Sequence, residues 1–376
     1  MGKAVGRVLI LGGYGNFGKR IAARLSRIDG INVLIAGRNP DKADETCRNL
    51  QNSASHATLD SAAIDIESPD FLEKLRALAP DLVIHTSGPF QRQDYRVPEA
   101  CIAISSHYID LADDRRFVCD IASLNKQAVE NGVLVISGAS SVPGLSSTVI
   151  ESLAKQFSQL EEIDFAIAPG NKAERGEATV RGILSYTGHP FTVLREGKWV
   201  EQYGWMDPRR LNFGKVIGKR WLANIDIPDL ELFPDRYPGI KSVNFQAGIE
   251  LPLIHFSMVF MAQLAKLGLV KSWESLTVPI FRFSELFKSF GTDVGGMRIN
   301  LTGLDNMQRP KSVSWTLVAE NGVGPYIPTI SAIILAKKLI AGEFDTVGAS
   351  ACLGLFTLDE FDTEASPLGI YHETSE

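Results

Sequence analysis

The sequence predicts an α/β protein, in which a doubly wound parallel sheet carries an inserted α+β domain. Two observations support this fold class. Over the first 145 residues, short runs of β-branched and aliphatic residues alternate with stretches of helical periodicity, as in consecutive βαβ units. From residue 162 to residue 321, strand patterns follow one another with few helices between them. That second pattern is typical of an antiparallel sheet with helices on one face.

The elements of the first part can be placed along the chain. Strands are predicted at 8–11, 33–36, 63–66, 82–86, 108–111 and 133–136. Helices are predicted between them at 17–25, 40–50, 69–78, 97–105 and 117–131. A late apolar helix, IPTISAIILAKKLIAGE, is expected to return to the first domain, which makes the second domain an insertion. We therefore expect one domain at 1–145 plus about 325–350, a second at 146–324, and a tail at 360–376.

Composition excludes several classes of function. The 376 residues carry a net charge of −6, and the pI is near 5.6, which argues against a nucleic-acid partner because phosphate binding needs a basic face. The four cysteines and six histidines are scattered, so we expect reduced thiols, a cytoplasmic protein and no metal site. The most apolar segment, 251–270, is interrupted by polar residues. It predicts a buried helix or the lining of a hydrophobic cleft rather than the alternative, a helix that lies on a membrane surface or faces lipid, and we expect no membrane partner.

The stretch VLILGGYGNFGKRI, residues 8–21, joins the first predicted strand to the first helix. Its glycines have the spacing G-x-G-x-x-G, which permits a tight turn, a close approach of the backbone to a pyrophosphate, and close packing of helix on strand. The helix N-terminus then presents N–H groups to the phosphates. This context predicts a dinucleotide-binding Rossmann domain. The expected contacts in the loop are Gly13, Tyr14, Gly15, Asn16, Phe17 and Gly18.

The end of the second predicted strand, IAGRN, indicates which dinucleotide binds. An NAD site usually has an acidic residue about 20 positions past the glycines, where it binds the ribose hydroxyls. This chain has Arg38 there, followed by Asn39. A guanidinium pairs with a 2′-phosphate through two hydrogen bonds, so the sequence predicts NADP(H) rather than NAD(H). Asp65, after the third predicted strand, is placed either to accept from the adenine amino group or to cap a helix.

Ligands of this architecture lie beyond the carboxyl ends of the strands. After the fourth strand, Ser87, Gly88 and Pro89 offer small or rigid residues against which a nicotinamide can lie. The fifth strand ends in a tyrosine and an aspartate, and a second aspartate follows in the turn, where a carboxylate could orient or protonate a substrate amine. These candidate catalytic residues are Tyr108, Asp110 and Asp113. An alternative role for Asp110 is to cap the following helix.

Several segments resemble the saccharopine dehydrogenase NADP-binding family. They are GGYGNFG, AGRN, SGPF, ACIAISSHYIDLADD, GASSVPGLSS and YIPTISAIILAKKLIAGE. The resemblance implies a Rossmann domain with an inserted α+β domain, a homodimer formed through the inserted sheet, and NADP(H)-linked redox chemistry on a small molecule. Members of the family form a secondary amine by reducing an imine, or break one by the reverse oxidation. Other relatives act on polyamine precursors or reduce carbon–carbon double bonds of lipids.

The sequence leaves three functions open. The first is an NADP(H)-dependent oxidoreductase that transfers a hydride to or from a C–N bond. The second is a reductase of an enoyl or lipid C=C bond, and the third is a non-catalytic sensor that binds NADP(H). A catalytic triad is not required by either reductase, because the cofactor supplies the difficult chemistry.

Overall fold

The structure is a computed structural model that describes residues 5–53 and 55–376. The chain folds into two compact units. The first comprises the described residues up to Leu145 together with Tyr326–Phe356. The second comprises Ser146–Pro325 and Thr357–Glu376. The second unit thus interrupts the first along the chain, and it also contains the C-terminal residues.

The strands of both units follow in chain order. They are β1 Arg7–Leu11, β2 Asn32–Gly37, β3 Thr58–Ala63, β4 Leu82–His85, β5 His107–Asp110, β6 Leu134–Ser137, β7 Gln159–Ala168, β8 Pro190–Arg195, β9 Lys198–Tyr203, β10 Arg209–Asn212, β11 Lys219–Asn224, β12 Ser242–Ala247, β13 Gly295–Leu304, β14 Pro310–Ala319, β15 Gly348–Ala351 and β16 Tyr371–Ser375.

The helices are numbered in the same way. They are α1 Gly18–Leu25, α2 Pro40–Gln51, α3 Phe71–Leu78, α4 Arg96–Ala103, α5 Arg115–Cys119, α6 Asn125–Glu130, α7 Ser146–Ala154, α8 Glu177–Tyr186, α9 Asp229–Arg236, α10 Pro252–Lys266, α11 Thr277–Glu285, α12 Ile327–Ile340 and α13 Leu358–Ala365. Short 3-10 turns lie at Asp120–Leu124, Glu274–Leu276, Gly324–Tyr326 and Ser366–Leu368.

The first unit is built on a parallel seven-stranded sheet in the order β15-β6-β5-β4-β1-β2-β3. Every residue of β4, β5 and β6 is buried, because helices cover both faces of such a sheet. This confirms the predicted α/β class. Strand β3 begins five residues before the predicted 63–66, since it is an edge strand whose TLDSAA sequence is mostly polar or small.

The second unit contains a sheet in the order β10-β11-β12-β7-β13-β14-β16. Its neighbouring strands are antiparallel except for β12 and β7, which run parallel. The predicted antiparallel sheet is therefore a mixed one. The parallel pair is permitted because a long connection, which contains α8, the β8–β9 hairpin and α9, separates β7 from β12. Phe165 and Trp315, both without exposed surface, lie in the core of this sheet.

The expectation of a tail at 360–376 is wrong. Thr357 caps α13 through a capping box with Glu360, and β16 pairs with β14 over five residues. The sequence YHETS gave no strand signal because β16 is an edge strand, four of whose five side chains are exposed. The C-terminal residues therefore complete the sheet of the second unit.

The expectation of a buried helix at 251–270 is also wrong in part. Helix α10 forms, and His255, Met258 and Ala262 are buried on one side of it. On the opposite side, however, Leu253 is 66% exposed and Phe260 is 63% exposed. Within the described ranges, no helix has the length and apolar character needed to cross a membrane.

Candidate cofactor-binding site

The loop between β1 and α1 depends on its glycines for close contacts. Gly12, rather than Gly13, has the left-handed conformation, with φ +77°, and a Cβ atom on it would lie 2.8 Å from Ser87 Oγ. A Cβ atom on Gly13 would lie 2.9 Å from the carbonyl oxygen of Ile10, and one on Gly18 would collide with the carbonyl oxygen of Gly12. Larger residues at these positions would push the loop away from β1, β4 and α1.

The start of α1 offers hydrogen-bond donors to a ligand. Among the described residues, no backbone acceptor pairs with the N–H groups of Phe17 and Gly18, as is usual in the first turn of a helix. Arg20, in the first turn of α1, fixes the loop, because its Nη1 donates to both the backbone oxygen and Oδ1 of Asn16. The Arg20 guanidinium also lies 5.0 Å from the centre of the Tyr326 ring. The loop is therefore held in place while its N–H groups stay available for phosphate oxygens.

Tyr14 connects the glycine loop to the end of β2. A Cβ atom on Gly37 would lie 2.6 Å from the Tyr14 ring, so Gly37 leaves room for that ring. The Tyr14 hydroxyl accepts a hydrogen bond of 3.0 Å from Asn39 N. Arg38, between these two residues, is exposed, and none of the described residues pairs with its guanidinium. The contacts of Tyr14 with Gly37 and Asn39 thus fix the backbone on both sides of Arg38, whose guanidinium stays available to a ligand.

The turn after β4 lies beside the glycine loop and is fixed by two side chains. Thr86 Oγ1 donates to the carbonyl oxygen of Leu11 at 2.8 Å. Gln93 Nε2 donates to the carbonyl oxygens of Ser87 at 2.9 Å and Pro89 at 2.8 Å. The Gly88–Pro89 peptide bond is cis. Ser87, Gly88 and Pro89 keep partial exposure, so this turn presents backbone and small side chains next to the loop.

Comparison with known proteins identifies this glycine-loop domain. The family model described as "Saccharopine dehydrogenase NADP binding domain" matches residues 8–136. Residues 8–136 belong to the saccharopine dehydrogenase NADP-binding family. The cofactor of this NADP-binding domain is accordingly NADP(H), and the free Arg38 cation and the open N–H groups of α1 fit its phosphates.

Two further similarities extend this result. The structure of apo saccharopine dehydrogenase (L-Glu forming) from Saccharomyces cerevisiae matches with a TM-score of 0.71 and 15% identity over 99% of this chain and 100% of that one. At that identity the match shows the fold alone. A Mycobacterium tuberculosis protein named for trans-acting enoyl reductase activity is 29% identical over 140 residues, which is 36% of this chain. The matched part spans 33% of that relative.

Two of the three catalytic candidates in the NADP-binding domain are inaccessible. Tyr108 and Asp110 have no exposed surface. The Tyr108 hydroxyl lies 3.0 Å from Nδ1 of the buried His85. Asp110 Oδ1 accepts from Ala112 N at 2.9 Å and from Gly138 N at 2.8 Å. Neither side chain is open to a substrate in this structure: Tyr108 contacts His85 of β4, and Asp110 fastens β5 to the turn after β6. Their catalytic roles therefore stay predictions.

Burial also changes the ionisation of these groups. Desolvation raises the pKa of Asp110 from its usual 3.8 to about 6, against hydrogen bonds from Gly138, Ala112 and Ser137 that lower it. Desolvation lowers the pKa of His85 to about 3, so the imidazole is neutral at pH 7. The Tyr108–His85 pair is therefore an uncharged core contact.

Asp113, the third catalytic candidate, differs from Tyr108 and Asp110 in its exposure. Its side chain is exposed, and Oδ1 accepts a hydrogen bond of 3.1 Å from Gln91 Nε2 in the turn after β4. Desolvation nevertheless raises its pKa, despite the Gln91 hydrogen bond, which lowers it. The structure thus places a reachable carboxyl with a raised pKa at the carboxyl ends of β4 and β5, where ligands of such sheets bind.

The structure also shows where Asp65, the expected contact to adenine, lies. Asp65 is half-buried, and its Oδ1 accepts from Glu67 N at 3.1 Å. This bond closes a turn and does not cap α3, which begins at Phe71 after Asp70. Sequence reasoning missed Gly12, Gln91 and Gln93. Gly12 stands one position before the motif, and the two glutamines act through contacts that no sequence spacing indicates.

Proposed function

We propose that this protein is an NADP(H)-dependent oxidoreductase that transfers a hydride to or from a C–N bond. The observation that carries the proposal is the reachable carboxyl of Asp113, held by Gln91 beside the turn at Ser87–Pro89. A sensor would need no titratable group at this edge of the sheet, whereas amine chemistry needs one to manage a proton on nitrogen. The yeast structural relative is named a saccharopine dehydrogenase, which is consistent with such chemistry.

The proposal assigns the cofactor contacts to fixed parts of the NADP-binding domain. The loop residues 13–18 bind the pyrophosphate through backbone N–H groups, and Arg38 with Asn39 binds the 2′-phosphate of the ribose. Ser87, Gly88 and Pro89 support the nicotinamide, which supplies or accepts the hydride when the cofactor is bound. Asp65 is a weaker candidate for the adenine, because its Oδ1 already accepts from Glu67 N.

Asp113 has two tasks in this scheme. As a carboxylate it favours the protonated imine over the neutral imine, and the protonated imine is the better hydride acceptor. When the amine is the substrate, the same carboxylate accepts the proton that leaves nitrogen. The raised pKa brings Asp113 closer to the operating pH than an ordinary aspartate, which improves proton exchange with the substrate. Gln91 fixes the direction of the carboxyl through its hydrogen bond.

A second candidate is the reduction of an enoyl C=C bond. The observation that favours it is the similarity of the NADP-binding domain to a relative named for enoyl reductase activity. In that reaction a protonated Asp113 would donate to the carbon that becomes a carbanion after hydride addition. The two candidates differ in substrate and in the protonation state that Asp113 needs, so one assay separates them.

The test is NADPH oxidation against two panels, one of keto acids mixed with amines and one of enoyl thioesters. We expect turnover in the first panel and a loss of roughly a hundredfold or more in kcat for Asp113→Asn, as expected when proton transfer is removed. Asp120→Asn is the matched control, since Asp120 is exposed and lies seven residues further on. Turnover of enoyl thioesters alone would select the second candidate. Equal activity of both variants would remove Asp113 from the mechanism.

A further inference from the structure

The second unit carries a concentrated apolar surface. Ten of the seventeen large hydrophobic residues exposed in the described chain lie between Leu253 and Phe290. They are Leu253, Phe256, Phe260, Leu267, Leu269, Leu276, Val278, Phe283, Leu286 and Phe290. We call this segment, which comprises α10, α11 and the residues around them, the α10–α11 surface. Such a concentration marks an interaction site rather than ordinary scattered exposure.

The exposure follows the helical period of α10. Leu253, Phe256 and Phe260 are spaced i, i+3 and i+7 and point outward, whereas His255 and Met258 point toward the protein. A helix normally directs such an apolar stripe toward the core. Here the inward face is already covered, so the outward stripe is a second apolar face over roughly 10 Å of helix.

The surface is firmly attached to the unit. Trp273 Nε1, in the segment between the helices, donates to the carbonyl oxygen of Met261 at 3.1 Å. Lys266 Nζ lies 4.2 Å above the centre of the Tyr203 ring. A Cβ atom on Gly188 would collide with the carbonyl oxygen of Ala262, so α10 lies close against the turn before β8. The apolar side chains are therefore presented by a packed scaffold.

The charges around this surface indicate which kind of partner could bind to it. Between residues 251 and 290 the chain has four basic residues and two acidic ones, although its net charge is −6. Lys266, Lys271 and Arg282 are exposed. Glu285 pairs with Lys288 at 3.1 Å, and Glu274 is half-buried beside Ser272, whose Oγ lies 3.3 Å from its carboxylate.

A second copy of the chain fits these charges poorly. A two-fold interface brings the same patch of both subunits together, which would set exposed cations against cations. An anionic lipid surface accepts the apolar side chains at the acyl boundary and pairs the basic residues with its headgroups. We propose that the α10–α11 surface docks the protein on an anionic lipid surface, without crossing it.

The test is co-sedimentation of the full chain with vesicles of phosphatidylcholine alone or of phosphatidylcholine with phosphatidylglycerol. We expect preferential binding to the phosphatidylglycerol vesicles. Phe260→Ser should weaken it roughly tenfold or more, since one large apolar side chain no longer enters the interface. Lys271→Glu combined with Arg282→Glu should remove the preference for the anionic vesicles. Met307→Ser is the matched control, because Met307 is 74% exposed outside this surface.

Unchanged NADPH binding and far-UV circular dichroism would show that the variants are folded. The proposal is overturned if the chain stays in the supernatant with both vesicle types, or if it binds both equally. It is also overturned if Phe260→Ser and Met307→Ser behave alike. A lipid-free dimer that Phe260→Ser dissociates would assign the surface to a second copy instead. None of these results depends on whether the NADP-binding domain acts on a C–N or a C=C bond.

Discussion

Arg38 is the residue through which the domain would distinguish NADP(H) from NAD(H). Its guanidinium is exposed, and Tyr14 fixes the neighbouring backbone through the hydrogen bond from Asn39 N. We predict that Arg38→Ala weakens NADPH binding roughly ten- to a hundredfold, which is the usual loss for charge-assisted hydrogen bonds. NADH binding should change little, because NADH lacks the 2′-phosphate. Fluorescence titration measures both affinities.

The matched control for Arg38 is Arg48→Ala, at the exposed far end of α2, the helix that follows Arg38. It should leave both affinities unchanged. Equal affinity of the wild type for NADPH and NADH, or an equal loss of both in Arg38→Ala, would contradict the assignment of Arg38 to the 2′-phosphate.

The raised pKa of Asp110 leads to a separate prediction about how stability depends on pH. Its pKa is 3.8 in an ordinary setting and about 6 in the folded protein, so the folded state binds its proton more tightly than the unfolded state. The stability due to this proton is fully present below pH 3.8 and is lost as the pH rises through about 6. A shift of this size corresponds to about 3 kcal/mol.

We therefore expect Asp110→Asn, which cannot ionise, to remove that decline. Urea unfolding between pH 4 and pH 7 gives the unfolding free energy of the wild type and of the variant at each pH. The difference between the two pH profiles measures the contribution of Asp110. Asp120→Asn, at an exposed position, should retain the wild-type slope. A variant whose unfolding free energy declines with pH as steeply as that of the wild type would show that Asp110 is not the titrating group.

At the scale of elements, α13 shows that the C-terminal residues contribute to stability. Phe361 has no exposed surface, and α13 leads into β16 on the edge of β14. We predict that Phe361→Ala lowers the free energy of unfolding by about 3–5 kcal/mol, as for other large-to-small substitutions in a core. Asp359→Ala, exposed in the first turn of the same helix, should change it by less than about 1 kcal/mol. Tryptophan fluorescence in urea measures both, and a neutral Phe361→Ala would restore the interpretation of these residues as a tail.

The elements that the sequence predicted well are those with a strong burial signal. Strands β1, β2 and β4 consist of apolar residues on both faces, and their predicted positions are confirmed to within a residue or two. Strands β3 and β16 were misplaced or missed because edge strands need little apolar surface. The four-residue β15, GASA, was missed for a related reason: small residues carry almost no periodic signal.

Within the site, local spacing predicted the glycine loop and Arg38, because these features depend on neighbouring residues in the chain. The contact between Tyr14 and Gly37 and that between Gln91 and Asp113 join distant segments, so no spacing rule indicates them. The burial of Asp110 was equally hidden, since a strand end does not reveal whether its carboxylate faces ligand or backbone. Sequence patterns therefore predicted the cofactor and named Asp113 among three catalytic candidates, whereas distinguishing Asp113 from the buried Tyr108 and Asp110 required the fold.

At the scale of the whole molecule, the unfolding of the two units can be followed by different spectroscopic signals. All five tryptophans, at positions 199, 205, 221, 273 and 315, lie in the second unit. The first unit contains the NADP-binding domain and has no tryptophan. Tryptophan fluorescence therefore reports the unfolding of the second unit, while far-UV circular dichroism reports both.

This arrangement predicts how NADPH affects thermal unfolding. A ligand stabilises the unit that binds it, by about 2.7 kcal/mol at a hundred times its Kd. With NADPH present, we expect the circular dichroism transition of the first unit to move to higher temperature and the tryptophan transition to move much less. Parallel scans with NADH, which cannot engage Arg38 through a 2′-phosphate, provide the control and should give the smaller shift. A single transition that NADPH moves equally in both signals would show that the inserted unit unfolds together with the NADP-binding domain, so that cofactor binding in one stabilises the other.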